Sequence, residues 1–127
     1  TGIGPETFAF ISSDSNFTGS SISAEQLAFY SEHGYCITGS DCIDRPEVLE
    51  SNFHAYHATG DQKHLDHAAS AINSFNKFLK TSTGFVGING INDPNMSKID
   101  DTLSFWFAEV LKYLYLTFNG PNHTSLD

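Results

Sequence analysis

Basic side chains are scarce in this chain: six Lys and Arg stand against fifteen Asp and Glu, a formal net charge of -9 over 127 residues. Binding a phosphate backbone requires clustered Lys and Arg to displace counterions, so a nucleic-acid partner is excluded. A neutral ligand or a cation suits the charge better. Cysteine is rarer still. Cys36 and Cys42 are too few to hold a metal by themselves, and a disulfide between them across a short hairpin requires Cα atoms within ~7 Å. No uninterrupted apolar run reaches the ~20 residues that a bilayer span needs. The chain opens at Thr1 with neither an initiator Met nor a basic-plus-apolar leader, and it reads as a mature piece or a fragment of a longer protein.

Aromatic residues, in contrast, are plentiful. Eleven Phe, five Tyr and one Trp, within 39% hydrophobic residues, can fill the core of a single domain spanning residues 1–127. Asn16-Phe17-Thr18, Asn95-Met96-Ser97 and Asn122-His123-Thr124 are glycosylation sequons, pointing to the secretory pathway or the extracellular space.

In chain order, residues 1–21 read as extended or irregular. Ser23-Ala24-Glu25-Gln26 has the spacing of a capping box and opens a helix that Gly34 closes. Tyr35-Cys36-Ile37 and Cys42-Ile43 flank a polar turn and predict a short β-hairpin. A second helix starts at or just before Arg45, because Pro46 fits only a first turn. Thr59-Gly60-Asp61 breaks it, and apolar residues at helical spacing predict a third helix over 62–80, making an αα-hairpin. The glycines of the long loop over 83–100 do not lead from a strand into a helix, so no phosphate cradle is indicated. A final helix, capped by Asp100 or Asp101, is predicted over 102–118. It is apolar nearly all round, as in a protein interior.

Two of these helices carry chemistry. In Arg45-Pro46-Glu47-Val48-Leu49-Glu50-Ser51, the carboxylates Glu47 and Glu50 are three residues apart and share a face, with His54 and His57 continuing the stripe. The plainer alternative is a solvated face, with Asp44 and Glu47 forming a capping box. Glu109 is a lone acid in the apolar last helix, either ion-paired with Lys112 or used functionally, and Phe105 precedes it by one turn. His54, His57, His64 and His67 form two His-x-x-His pairs. Zinc-protease ligand pairs use i,i+4 spacing with a nearby Glu, so exposed or partly packed imidazoles are the better description. Taken alone, Glu6 reads as an exposed loop residue after Pro5.

Together these stretches resemble glycoside hydrolase family 47, the class I α-1,2-mannosidases, with the fungal secreted branch most similar. Gly2-Ile3-Gly4-Pro5-Glu6 is similar to the family's Gly-x-x-Pro-Glu, and residues 45–51 are similar to its Arg-Pro-Glu-x-x-Glu-Ser. Thr59-Gly60-Asp61 and the run from Ser104 to Leu114 follow in the family's order. The resemblance implies a mainly α fold of antiparallel helix pairs, part of an (α/α)7 barrel of which this chain covers the C-terminal portion. It implies calcium-dependent inverting hydrolysis of terminal α-1,2-linked mannose on high-mannose oligosaccharides. Glu47 would be the general base, and Glu6, Arg45, Glu50, Phe105 and Glu109 would line the mannose pocket. No direct calcium ligand is assigned here, but Glu47, Glu50 and Glu109 would hold waters around the ion.

The chain also departs from the family pattern. Asp44 replaces a usual Leu, His57 a usual Arg and Leu103 a usual Glu. The chain ends before the family's Phe-Asn-Thr-Glu-Ala-His-Pro, whose Thr ligates calcium directly, and no residue matches the general acid. The expected partners are therefore the oligosaccharide and the remainder of the mannosidase domain. The alternative is a non-catalytic truncated chain that binds glycans or self-associates through apolar helix faces, such as that around Trp106 and Leu114.

Overall fold

The computed structural model describes residues 1–18, 22–93 and 95–119. It is mostly helical. Strand β1 (Thr7–Ala9) is followed by α1 (Ala24–His33), β2 (Cys36–Gly39), α2 (Glu47–Thr59), α3 (Lys63–Ser74) and α4 (Leu111–Phe118). Among the described residues no helix is long and apolar enough to cross a membrane.

The capping box forms as the spacing requires. Ser23 Oγ accepts from the Gln26 N–H, Gln26 Oε1 accepts from the Ser23 N–H, and Gly34 closes α1 in the left-handed conformation at φ 78°. Gly60 ends α2 in the same way at φ 67°, turning the chain into α3. The end of α3 and the entry to α4 are widened. From Phe75 to Leu79 and from Trp106 to Val110 the backbone takes π-helical i→i+5 bonds, so that α3 continues to Leu79 and α4 is entered through a wide turn.

Three expectations are corrected. The β-hairpin over 35–43 does not form. Strand β2 instead pairs antiparallel with β1, Phe8 opposite Ile37 and Ala9 opposite Cys36, while Cys42 exchanges both backbone hydrogen bonds with Ile88 at 2.9 Å. Cys36 and Cys42 thus lie against different neighbours along an extended segment, where each residue advances the chain by ~3.3 Å. They are buried free thiols and not a disulfide. Burial pushes the Cys42 thiol up to about 11, and Cys36 Sγ donates to the Gln26 carbonyl at 3.3 Å.

Second, α2 begins at Glu47 and its N-cap is Pro46, with no side-chain cap. Asp44 is buried at φ 63° and makes no capping box. Third, the last helix starts at Ser104, and Asp100 and Asp101 lie outside it. Its outer side is not buried. Trp106, Val110, Tyr113 and Thr117 face inward, whereas Phe107, Leu111, Tyr115 and Phe118 form an exposed stripe on the opposite side. Trp106 was expected to expose an apolar face and is instead core.

The long loop supplies much of that core. Val86, Ile88 and Ile91 are buried, and Ile88 sits with Ile3, Cys42 and Leu79 in one apolar cluster. A second cluster joins Leu49 and Phe53 of α2 to Trp106, Val110 and Tyr113. Phe75 and Phe85 belong to both, Phe85 stacking on Trp106 at 4.6 Å between centroids and Phe75 meeting it edge-on at 5.7 Å. Fully burying an Ile or Leu side chain contributes about 1.5–3 kcal/mol, so this loop is a structural element and not a cover.

Gly87 sets how closely it docks, because a Cβ there would stand 2.7 Å from the Cys42 carbonyl oxygen. Gly87→Ala is therefore expected to destabilise the intact protein by about 1–3 kcal/mol through overpacking against backbone. A urea midpoint equal to the wild type's would show that the contact relaxes freely.

Candidate functional site

The two-stranded ladder fixes the first site residue. Glu6 directly precedes β1, and its N–H donates to the Asp41 carbonyl at 2.8 Å, which brings the N-terminal loop beside the entry to α2. There the Arg45 Nε donates to Glu6 Oε1. Arg45 Nη1 lies 3.8 Å from Glu47 Oε1, and its Cζ stands 5.8 Å from the centroid of the Phe105 ring. The Glu6 hydrogen bond, then the charges of Glu6 and Glu47, hold the Arg45 guanidinium above its usual value, so it is a fixed cation. Three elements distant in sequence, residues 1–6, the start of α2 and the entry to α4, thus meet at one guanidinium.

Glu6, Arg45 and Glu47 border a cavity of about 470 Å³, whose wall is completed by Asp44, Leu49 and Phe75 among others. Its size suits a small ligand. Glu47 is well exposed to solvent, with a side-chain exposure of 63%, against 16% for Glu6. One helical turn further along, Glu50 accepts from the Tyr113 hydroxyl and lies 4.0 Å from His54 Nε2. Glu50 and Glu109 are not part of the cavity wall. Glu109 has no ion-pair partner among the described residues, and Lys112 lies over the Tyr113 ring at 4.6 Å instead of pairing with it. The Glu109 charge nevertheless reaches the Tyr113 phenol, which is held above its usual value by its hydrogen bond to Glu50 first, then by burial and the two carboxylates.

The remaining candidates are placed elsewhere. His64 Nδ1 is 3.0 Å from Asn52 Oδ1, His57 packs on Phe53, and His64 and His67 meet ring to ring. Among the described residues no three His, Cys, Asp or Glu side chains converge as metal ligands. One Glu50 oxygen is already committed to Tyr113 and Glu47 faces Arg45, so the donor set present does not by itself fit a calcium ion. Asn16 and Asn95 are exposed, and Asn122 lies outside the described residues.

Two residues with a part in the site escaped the sequence. Asp44 is 3% exposed, and its Oδ1 has no hydrogen-bond partner among the described residues. Burial raises its carboxyl to about 6. Nothing in the local pattern signals this, since the same spacing predicts a cap. Tyr113 was legible in principle, because it continues the stripe of Phe105 and Glu109 by one more turn.

The glycosyl hydrolase family 47 model matches residues 1–127. The chain belongs to that family. It is 40% identical over 119 residues to mannosyl-oligosaccharide α-1,2-mannosidase 1B of Aspergillus phoenicis, covering 93% of this chain and 22% of that protein. A probable mannosyl-oligosaccharide α-1,2-mannosidase 1B of Aspergillus fumigatus is 37% identical over 127 residues, 99% of this chain and 24% of that protein. Among solved structures, α-1,2-mannosidase from Trichoderma reesei superposes with a TM-score of 0.80 at 41% identity, over 92% of this chain and 24% of that one. This family 47 chain therefore spans about a quarter of the length of the relatives it matches. Its paired helices and two-stranded sheet are a part of the family's (α/α) barrel.

Proposed function

We propose that these residues form one wall of the terminal-mannose pocket of an inverting α-1,2-mannosidase, within a longer catalytic domain of which 1–127 is the C-terminal part. The observation that carries the proposal is the junction at Arg45, where Glu6, Glu47 and Phe105 meet beside the cavity. A buttressed cation, an aromatic face and an exposed carboxylate are the groups that orient a sugar ring and activate a water against it. In this reading Glu47 is the general base, and Glu6, Arg45, Glu50, Phe105 and Glu109 position the sugar. An inverting pair needs a second carboxyl ~6.5–9.5 Å away to protonate the leaving oxygen, and that acid is supplied by another part of the domain.

Calcium belongs to this reading only as an ion of the complete domain. Glu47, Glu50 and Glu109 would act on it through waters, and no step is assigned to it here. Names of the fungal relatives, together with the exposed sequons at Asn16 and Asn95, support N-glycan trimming in the secretory pathway. The stripe of Phe107, Leu111, Tyr115 and Phe118 is the face we expect the rest of the barrel to cover.

That stripe also favours the competing reading, a non-catalytic chain that self-associates. One experiment separates the two. The full-length protein is expected to release mannose from α-1,2-linked mannobiose while remaining monomeric across a concentration series. Dimerisation without any mannose release would overturn the enzymatic assignment.

A further inference from the structure

We propose that Tyr113 is a positioning residue for this site, fixing the Glu50 carboxylate from across the interface between α2 and α4; the proposal rests on the mannosidase reading above. The hydrogen bond joins residues 63 apart in sequence and ties the two helices at the level of the site. Its donor is rigidly held. Tyr113 is 8% exposed, its ring lies 5.9 Å from Phe53 and 6.4 Å from His54, and the Lys112 ammonium covers one face at 4.6 Å. An aromatic side chain clamped on these sides gives its hydroxyl one direction, and that direction is Glu50.

The acceptor, by contrast, would be loose without it. Glu50 has 40% of its side chain exposed, and its other near neighbour, His54, stands at 4.0 Å, beyond hydrogen-bond length. Glu109 bears on the same phenol from the wide turn that leads into α4. The hydroxyl carries a single proton, and donating it to Glu50 orients one carboxylate while leaving Glu109 free to meet a ligand. Because the phenol titrates above its usual value, it remains a donor throughout the neutral range. Tyr113 thereby turns a flexible glutamate into a fixed acceptor for a sugar hydroxyl.

The test is a double-mutant cycle in the full-length protein with Tyr113→Phe, Glu50→Ala and the pair, assayed on α-1,2-linked mannobiose. Tyr113→Phe keeps the ring and removes only the hydroxyl. It is expected to lower kcat/KM roughly 10- to 100-fold, the range of one hydrogen bond to a charged group, mainly through KM. The double variant is expected to be no worse than Glu50→Ala alone, because the two residues act as one unit. Strictly multiplicative losses would overturn the proposal, as would a Tyr113→Phe protein whose only change is a lower melting temperature. A wild-type protein that releases no mannose would instead reject the mannosidase reading on which the proposal stands.

Discussion

Glu47→Gln in the full-length protein is expected to lower turnover of α-1,2-linked mannosides by roughly 10²–10⁴-fold, the usual contribution of a general base. The substitution is nearly isosteric. It preserves the start of α2, because the cap there is Pro46 and no side chain closes it. It keeps an oxygen facing Arg45 Nη1 but removes the charge that accepts a proton from water. Arg45 should stay in place, since its principal partner is Glu6 and its ring contact is Phe105. The expected pattern is therefore a large loss of kcat with KM changed only modestly. Retained kcat would eliminate Glu47 as the base. A collapse of KM with kcat intact would place it among the sugar-holding residues.

The second large effect concerns Asp44 and is one of stability. Its carboxyl titrates near 3.8 in an unfolded chain and is raised by burial to about 6 in the fold. The folded state therefore binds more protons than the unfolded one between those values, and stability falls as pH rises through that window. Two pH units at about 1.4 kcal/mol each place the cost at about 3 kcal/mol by neutral pH. Asp44→Asn removes the charge and tolerates the backbone, since Asn, like Asp, is among the residues that accept φ near 63°. We expect wild type and variant to be about equally stable near pH 4, both carrying a neutral buried side chain, and the variant to be more stable by about 3 kcal/mol near pH 7. Urea denaturation at the two pH values measures the gap. A difference that does not change with pH would show that Asp44 is solvated or paired in the folded protein.

What could be read in advance was whatever depends on neighbours in sequence. The Ser23 capping box, the Gly34 and Gly60 stops and the turn between α2 and α3 each rest on contacts within one helical turn, and each formed as spacing requires. The pairing of Glu47 with Glu50 on one face of α2 is legible for the same reason. The hairpin failed because strand pairing is a choice among distant partners. The segment over 36–42 can fold on itself or bond elsewhere, and its backbone groups went to β1 and Ile88 instead. Asp44 failed similarly: local spacing made it a cap, and the tertiary fold made it a buried acid at a left-handed backbone position.

Sequence by itself determined the helices, their order, the acidic character and, through four motifs in register, the family. It also named Glu6, Arg45, Glu47, Glu50, Phe105 and Glu109 as a set. Only the tertiary structure decided how that set divides. Arg45 gathers Glu6, Glu47 and Phe105 at a cavity, while Glu50 and Glu109 lie one turn away around Tyr113. It also decided that the last helix buries one side and exposes the other. The physical reason is the same in both cases. Helix period and capping are settled within a few residues, whereas which side chain faces which depends on how α2, α3, α4 and the loop that carries Ile88 pack around a shared core.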